Sequence, residues 1–310
     1  MKMKLLAVFL LTLPGLVSCG GGVVKTAPPH LAAGREQIAR GMPYYQKGCY
    51  KRAIEYFLKA HELCTSYDQR ECVAMSLNNL GAAYRGIEEP ESALILFRES
   101  NRVYTGVGNA AGARQALCNE AAALMDTGDL EGAEKALDEA SKMGAGIEGK
   151  PFIPLMSNRG ILLTKKKEYA KAEDVLRNAL IQADPENPAD TAVVNAALGH
   201  LMLDRGDNRQ AVGYFERALD ADRKAGFHKG IADDLRYIGE ACERLGEDRR
   251  AVQNWQEGIK IYALLGLEDE VDDLLERLRT AAERTSVNIE LTEFFVNHWL
   301  EGRATEGLCD

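Results

Sequence analysis

Histidine is scarce in this sequence: His30, His61, His200, His228 and His298 are the five among 310 residues, widely separated. None takes the His-x-x-Glu-His or similar spacing that gathers zinc ligands, so neither a metal nor a cofactor is expected. The phosphate-cradling Gly-x-x-x-x-Gly-Lys-Ser/Thr and the nucleophile turn Gly-x-Ser-x-Gly are both missing, and no catalytic residue or enzyme activity is expected. Basic charge is also short, with 38 Lys and Arg against 47 Asp and Glu and a net charge of -9. No Lys/Arg-rich block stands out, which argues against a nucleic-acid surface. Long apolar runs are missing too. The nine-residue run from Leu5 to Leu13 falls far below the roughly 20 residues of a spanning helix. Proline is sparse (9) beside glycine (29), and alanine is abundant throughout, a composition suited to closely packed helices.

The N-terminus holds Lys2 and Lys4, then the apolar run, then Leu16-Val17-Ser18-Cys19. Charge, short apolar core and small residues form the pattern of an export signal. With the cysteine, the segment resembles the lipobox of bacterial lipoproteins. That resemblance implies cleavage after residue 18, acylation of Cys19, and membrane anchoring through several chains. Gly20 in place of Asp implies the outer membrane, facing the periplasm, in a Gram-negative cell. Residues 20–33, with Gly20-Gly21-Gly22 and Pro28-Pro29, read as a flexible tether.

The rest of the chain repeats. A small residue is followed twelve positions on by another, four on by a large apolar residue, and three on by a third small one. The copies are Gly41/Ala53/Phe57/Ala60, Gly81/Ala93/Phe97/Ser100, Ala121/Ala133/Leu137/Ala140, Gly160/Ala172/Leu176/Ala179, Gly199/Ala211/Phe215/Ala218 and Gly239/Ala251/Trp255/Gly258, with a period of 39 or 40. The twelve-residue gap spans the end of one helix, a turn and the start of the next. Spacings of four and three then put the remaining residues on one helical face. Glycine seven positions after the first small residue supplies the turn in four copies (Gly48, Gly128, Gly206, Gly246), while Glu89-Pro90 takes its place in the second.

These residues resemble the tetratricopeptide repeat (TPR) in its long, kinesin light chain-like form. The resemblance implies an all-α, right-handed α-solenoid of six helix pairs over residues 34–266, with a C-terminal capping helix and tail at 267–310. Repeat one is the poorest match, with Pro43 expected to break its first helix. Leu267, Val271, Leu274, Leu275 and Leu278 form the apolar stripe of a cap. The stretch around Phe294, Phe295, Trp299 and Leu300 reads either as packed on the last repeat or as a docking segment.

In such solenoids the first helices line the concave side. Two positions before each small packing residue, a side chain points away from the neighbouring helix, and those positions hold Ala39, Asn79, Asn119, Asn158, Ala197 and Tyr237. Asparagine can bridge the amide and carbonyl of an extended peptide. A ladder of this kind grips a ligand backbone, or bonds within its own repeat and aids stacking, or does both. Arg85, Asp126, Lys165, His200, Arg236 and Glu240 are the further groove candidates, and their mixed signs suit a polar segment.

Setting Cys19 aside, six cysteines remain. Cys64 and Cys72 flank a loop between antiparallel helices and are a possible disulfide; Cys242 is expected to be a buried thiol, and Cys49, Cys118 and Cys309 have no evident partner. The expected function is a membrane-anchored scaffold holding an extended segment of a cell-envelope protein. The alternatives are a homo-oligomeric envelope component, or a glycan or small-molecule binding module using Tyr45 and Tyr237.

Overall fold

The computed structural model describes residues 29–143, 151–301 and 308–309. Cys19, the expected export signal and most of the expected tether lie outside them. Fourteen α-helices run through the described residues. Twelve form the six pairs: α1 (Pro29–Lys47) with α2 (Tyr50–Ser66), α3 (Arg70–Gly86) with α4 (Pro90–Gly106), and α5 (Ala110–Asp126) with α6 (Leu130–Lys142). Then come α7 (Ile153–Lys165) with α8 (Tyr169–Gln182), α9 (Pro188–Arg205) with α10 (Asn208–Ala225), and α11 (His228–Arg244) with α12 (Asp248–Leu265). The helix α13 (Glu268–Thr285) and the shorter α14 (Glu290–Leu300) follow.

Two expectations at the N-terminus need correction. Helix α1 starts at Pro29, inside the stretch read as tether up to residue 33, and it continues through Pro43 to Lys47. Proline removes one N–H donor from the helix. Here Pro43 and Ala39, whose carbonyl loses that donor, are both exposed, so water can serve the carbonyl and the helix survives.

Each pair is closed by the repeated packing unit. Phe57, Phe97, Leu137, Leu176, Phe215 and Trp255 are fully buried, as are the alanines four residues before them. The facing small residue is a steric requirement, since a Cβ on Gly81 would sit 2.6 Å from Phe97 and one on Gly239 2.2 Å from the Trp255 indole nitrogen. The indole nitrogen also donates to the Arg236 carbonyl at 3.0 Å, and the Ser100 hydroxyl donates to that of Ala74 at 2.7 Å. In both cases the second helix hydrogen-bonds the backbone of the first.

The turns inside the pairs share one backbone state. Gly48, Gly128, Gly206 and Gly246 have φ between 75 and 89°. The equivalent positions in repeats two and four are Glu88 (φ 61°) and Lys167 (φ 62°), so the left-handed conformation is kept even where the side chain opposes it. In repeat two the turn therefore rests on Glu88, while Pro90 begins the next helix.

Stacking accumulates until the two ends meet. Gly48, in the first turn, packs against Lys229 at the start of α11 and Leu265 at the end of α12; a Cβ on Gly48 would lie 2.9 Å from that of Lys229. A disulfide joins Cys49 in the same turn to Cys309 in the C-terminal tail, with Cα atoms 5.3 Å apart. Neither cysteine has a partner legible in the sequence. Helix α13 packs on α12, burying Val271, Leu274 and Leu278 as a cap should. Helix α14 also packs on α12, through Val296 and Thr292, but leaves Leu291 and Phe294 exposed.

Candidate functional site

Because the ends meet, the concave side is a channel partly open to solvent, walled from both ends of the chain. One lobe, about 840 Å³, is lined by Tyr45, Tyr50, Arg85, Asp126, Lys165, Phe227, Lys229 and Tyr237 among others. A second, about 530 Å³, is lined by His200, Asp222, Asp233, Asp234, Arg236 and Glu270, with an apolar side of Ala192, Val193 and Ala196. The two share Tyr45, Glu88, Val193, Phe227, Lys229, Asp233 and Tyr237. Both volumes fall within the range of ordinary ligand sites.

Six of the groove candidates face this space, and their partners explain their positions. Arg85 Nε donates to Asp126 Oδ2 at 2.5 Å, tying the end of α3 to the end of α5. Arg236 donates to Asp273 at 2.6 Å. Lys165 lies on the exposed last turn of α7. His200 meets the Tyr237 ring edge-on at 4.2 Å, and Tyr237 stacks on Phe215 at 5.3 Å. Burial pulls the His200 imidazole below its ordinary pKa, outweighing the acids around it, so the ring is held neutral.

The asparagine ladder and Glu240 lie elsewhere. Asn119 Nδ2 donates to Asn78 Oδ1 at 3.0 Å, while its own Oδ1 accepts from Gln115 at 3.0 Å. Asn158 Nδ2 donates to the Cys118 carbonyl at 2.7 Å. The bonds to Asn78 and Cys118 join one repeat's first helix to the next, whereas the structural alternative expected bonding within a repeat. Asn79 has no side-chain hydrogen bond among the described residues. Glu240 is engaged by Arg244 at 2.5 Å and Arg277 at 3.6 Å, away from both lobes. Cys64 and Cys72 are disulfide-bonded, with Cα atoms 5.5 Å apart. Cys118 and Cys242 are buried free thiols, which burial pushes up to about 12 and about 11, so both are inert as nucleophiles.

The chemistry richest in charge lies where sequence reasoning did not look. Lys229, Asp233 and Tyr237 are spaced four apart along α11 and therefore share one face. Lys229 Nζ lies 3.0 Å from Asp233 and 3.7 Å from Glu270. Burial alone would pull this ammonium down in pKa, but the two carboxylates outweigh it and hold it charged. The Tyr262 hydroxyl donates to Asp233 at 2.6 Å. Asp222 and Asp234 are only 7% and 3% exposed. Burial first, and then Asp233, push Asp222 up to about 7; burial first, and then Asp222 and Asp233, push Asp234 up to about 9. The i, i+4 stripe was a usable signal. It went unread because the candidates ran from just before the small packing residue to about one turn after it, whereas Lys229, Asp233 and Asp234 lie more than a turn before Gly239 and Asp222 lies at the end of α10.

The arrangement of paired helices, stacked in register with a wall of first-helix side chains, is that of a TPR α-solenoid, a fold of protein–protein interaction scaffolds. The family profile for the tetratricopeptide repeat matches residues 37–105 and 151–224. The chain therefore carries tetratricopeptide repeats. Over 127 residues it is 31% identical to the cell division cycle protein 16 homolog of Homo sapiens, a stretch covering 39% of this chain and 20% of that protein. The match thus takes in about a fifth of the curated relative's length. Among solved structures, the chain is similar to the Rap conjugation gene regulator of plasmid pLS20 in complex with the Phr* peptide (TM-score 0.56, 18% identity, 88% of this chain and 81% of that one). It is similar also to a Rap protein complexed with competence and sporulation factor (TM-score 0.57, 15% identity, 84% and 77%). A third similar structure is the APC/C hetero-tetramer Cut9–Hcn1 (TM-score 0.53, 16% identity), of which the alignment spans about half, 47%, against 83% of this chain.

Proposed function

We propose that this protein is a non-catalytic adaptor, lipid-anchored through Cys19, that holds an extended segment of a cell-envelope partner inside its ring-closed channel. The observation that carries this reading is the channel itself. Tyr45, Phe227 and Tyr237 offer apolar surface beside the polar groups Arg85, Asp126, Lys165 and Lys229, the mixture that grips a peptide by its side chains. Two structures of the same fold, the Rap proteins above, are complexes with the Phr* peptide and with competence and sporulation factor, which supports the same use here. Placement outside the reducing cytosol is supported by the two disulfides. No helix among the described residues is long and apolar enough to cross a membrane, so anchoring rests on the acylated N-terminus.

A photo-crosslinking amino acid at Lys165, compared with one at the exposed, outward-facing Ile95 or Ile181, tests the channel reading in cells. Cross-links from position 165 should map to one contiguous segment of one partner. Cross-links from Ile95 or Ile181 alone would move the binding surface to the convex face. Cys19→Ala should release the protein from the membrane fraction, and its retention there would refute the anchor.

A further inference from the structure

The smaller lobe carries an imbalance that its own residues do not resolve. Its cations each have an acidic partner: Lys229 lies between Asp233 and Glu270, and Arg236 is held by Asp273, although its buried Nε has no partner among the described residues. Its two buried acids have none. Among the described residues no ion pair or side-chain hydrogen bond reaches Asp222 or Asp234, and Asp234 Oδ2 is a fully buried acceptor with no partner. An unpaired buried polar atom of this kind is costly, so folded proteins rarely leave one without a use. The site is also built to hold the acids. The Asp222 carboxylate rests on Gly230, where a Cβ would come within 2.0 Å of its Oδ2, so glycine makes the room. Beside the acids the wall turns apolar, with Ala192, Val193, Ala196 and Phe227. Among the described residues no cluster of three ligating groups could hold a metal ion. Two buried carboxyls without a third ligand, next to an apolar wall, fit an organic cation.

We propose that this lobe is the specificity pocket of the channel, accepting a primary ammonium or guanidinium group on an apolar stem, namely a lysine or arginine side chain of the bound segment. The proposal rests on reading the channel as a peptide site. The stem lies along Ala192, Val193 and Phe227, and the cationic head meets Asp222 and Asp234. Both acids are then ionised by the partner they lack in the free protein. The charges of the lobe are Glu88 from the turn between α3 and α4, Asp222 from α10, Lys229, Asp233, Asp234 and Arg236 from α11, and Glu270 from α13, with neutral His200 from α9 and the Tyr262 hydroxyl from α12. Counting the occupied pairs, they leave a net demand for positive charge at Asp222 and Asp234.

The test uses the full chain, immobilised, and pools of end-blocked pentapeptides with random flanks and lysine, arginine, glutamate or norleucine fixed at the centre. Retained peptides are read by mass spectrometry. Two further arms, a norleucine pool with a free amino terminus and spermidine, distinguish side-chain ammonium from terminal ammonium and from a free polyamine. The expected result is at least tenfold enrichment of the lysine and arginine pools over norleucine and glutamate. In the isosteric Asp234→Asn and Asp222→Asn/Asp234→Asn variants, checked for unchanged urea unfolding midpoints, that enrichment should fall below threefold. Equal retention of the norleucine and lysine pools overturns the specificity pocket while leaving the peptide channel intact. A preference for the free-amino-terminus pool overturns the side-chain assignment. Retention of no pool, with or without spermidine binding, overturns both this inference and the channel reading.

Discussion

One substitution made at two places in repeat five separates packing from helix propensity. Gly199 in α9 faces Phe215, and an added Cβ would lie 2.7 Å from the ring. Ordinary contact begins near 3.4 Å, so the ring must retreat by about 0.7 Å. It has nowhere to go, because Phe215 is fully buried with His200 edge-on at 5.1 Å and Tyr237 stacked at 5.3 Å. Overpacking of a tight core costs about 1–3 kcal/mol. Replacing glycine by alanine within a helix returns about 0.5–1 kcal/mol. The net expectation for Gly199→Ala is a loss of about 1–2 kcal/mol, with Tyr237 displaced into the channel. Gly213, in α10 of the same repeat, has only the tip of Arg217 near a Cβ, at 3.9 Å. Gly213→Ala should therefore stabilise by about 0.5–1 kcal/mol. Urea unfolding followed by circular dichroism and by Trp255 fluorescence compares the two. If Gly199→Ala proves as stable as the wild type, the glycine–aromatic contact is slack and the packing account of the whole repeat fails.

Three further predictions follow from other features. Lys167 holds φ 62° in a turn where four other repeats use glycine, so Lys167→Gly should gain about 0.5–1 kcal/mol in the same urea assay, and a loss would mean the left-handed turn costs nothing. The raised Asp234 carboxyl, at about 9, binds its proton more tightly in the folded chain than in the unfolded one. Its contribution is complete below about pH 4 and is lost as pH rises towards 9, each tenfold weakening of the acid corresponding to about 1.4 kcal/mol. Wild type should thus lose stability relative to Asp234→Asn across that range, and parallel pH profiles would refute an unpaired buried acid. The Cys49–Cys309 bridge closes a loop of 260 residues, which the chain-entropy model values at about 5–6 kcal/mol. Cys309→Ser should lower the unfolding midpoint and raise the small-angle X-ray scattering radius as the ends part. An unchanged radius would mean that the contact of Gly48 with Lys229 and Leu265 closes the ring unaided.

The repeat was legible because its determinants are local. A small residue, a turn seven positions on and a large residue sixteen on lie within one helix pair, and each copy states them again. The cap was legible for the same reason, since Val271, Leu274 and Leu278 mark one helical face. The N-terminal boundary was misjudged because a helix start at Pro29 and a tolerated Pro43 depend on which face meets water, which periodicity does not report. Of the groove candidates, Arg85, Asp126, Lys165, His200, Arg236 and Tyr237 line the channel; helical phase marks Tyr237, the others neighbour such positions, and the concave side itself was implied by the resemblance. Phase marks the asparagines too, but it does not tell whether their amides face the channel or the next repeat. Ring closure belongs to tertiary structure alone. It arises from small rotations summed over six pairs, and only that sum brings Gly48 against Lys229, Cys49 against Cys309 and Tyr45 beside Asp233. Residues nearly 200 positions apart thus share a cavity that no local pattern encodes, and the pairing of its charges, including the two acids left without a cation, is decided there.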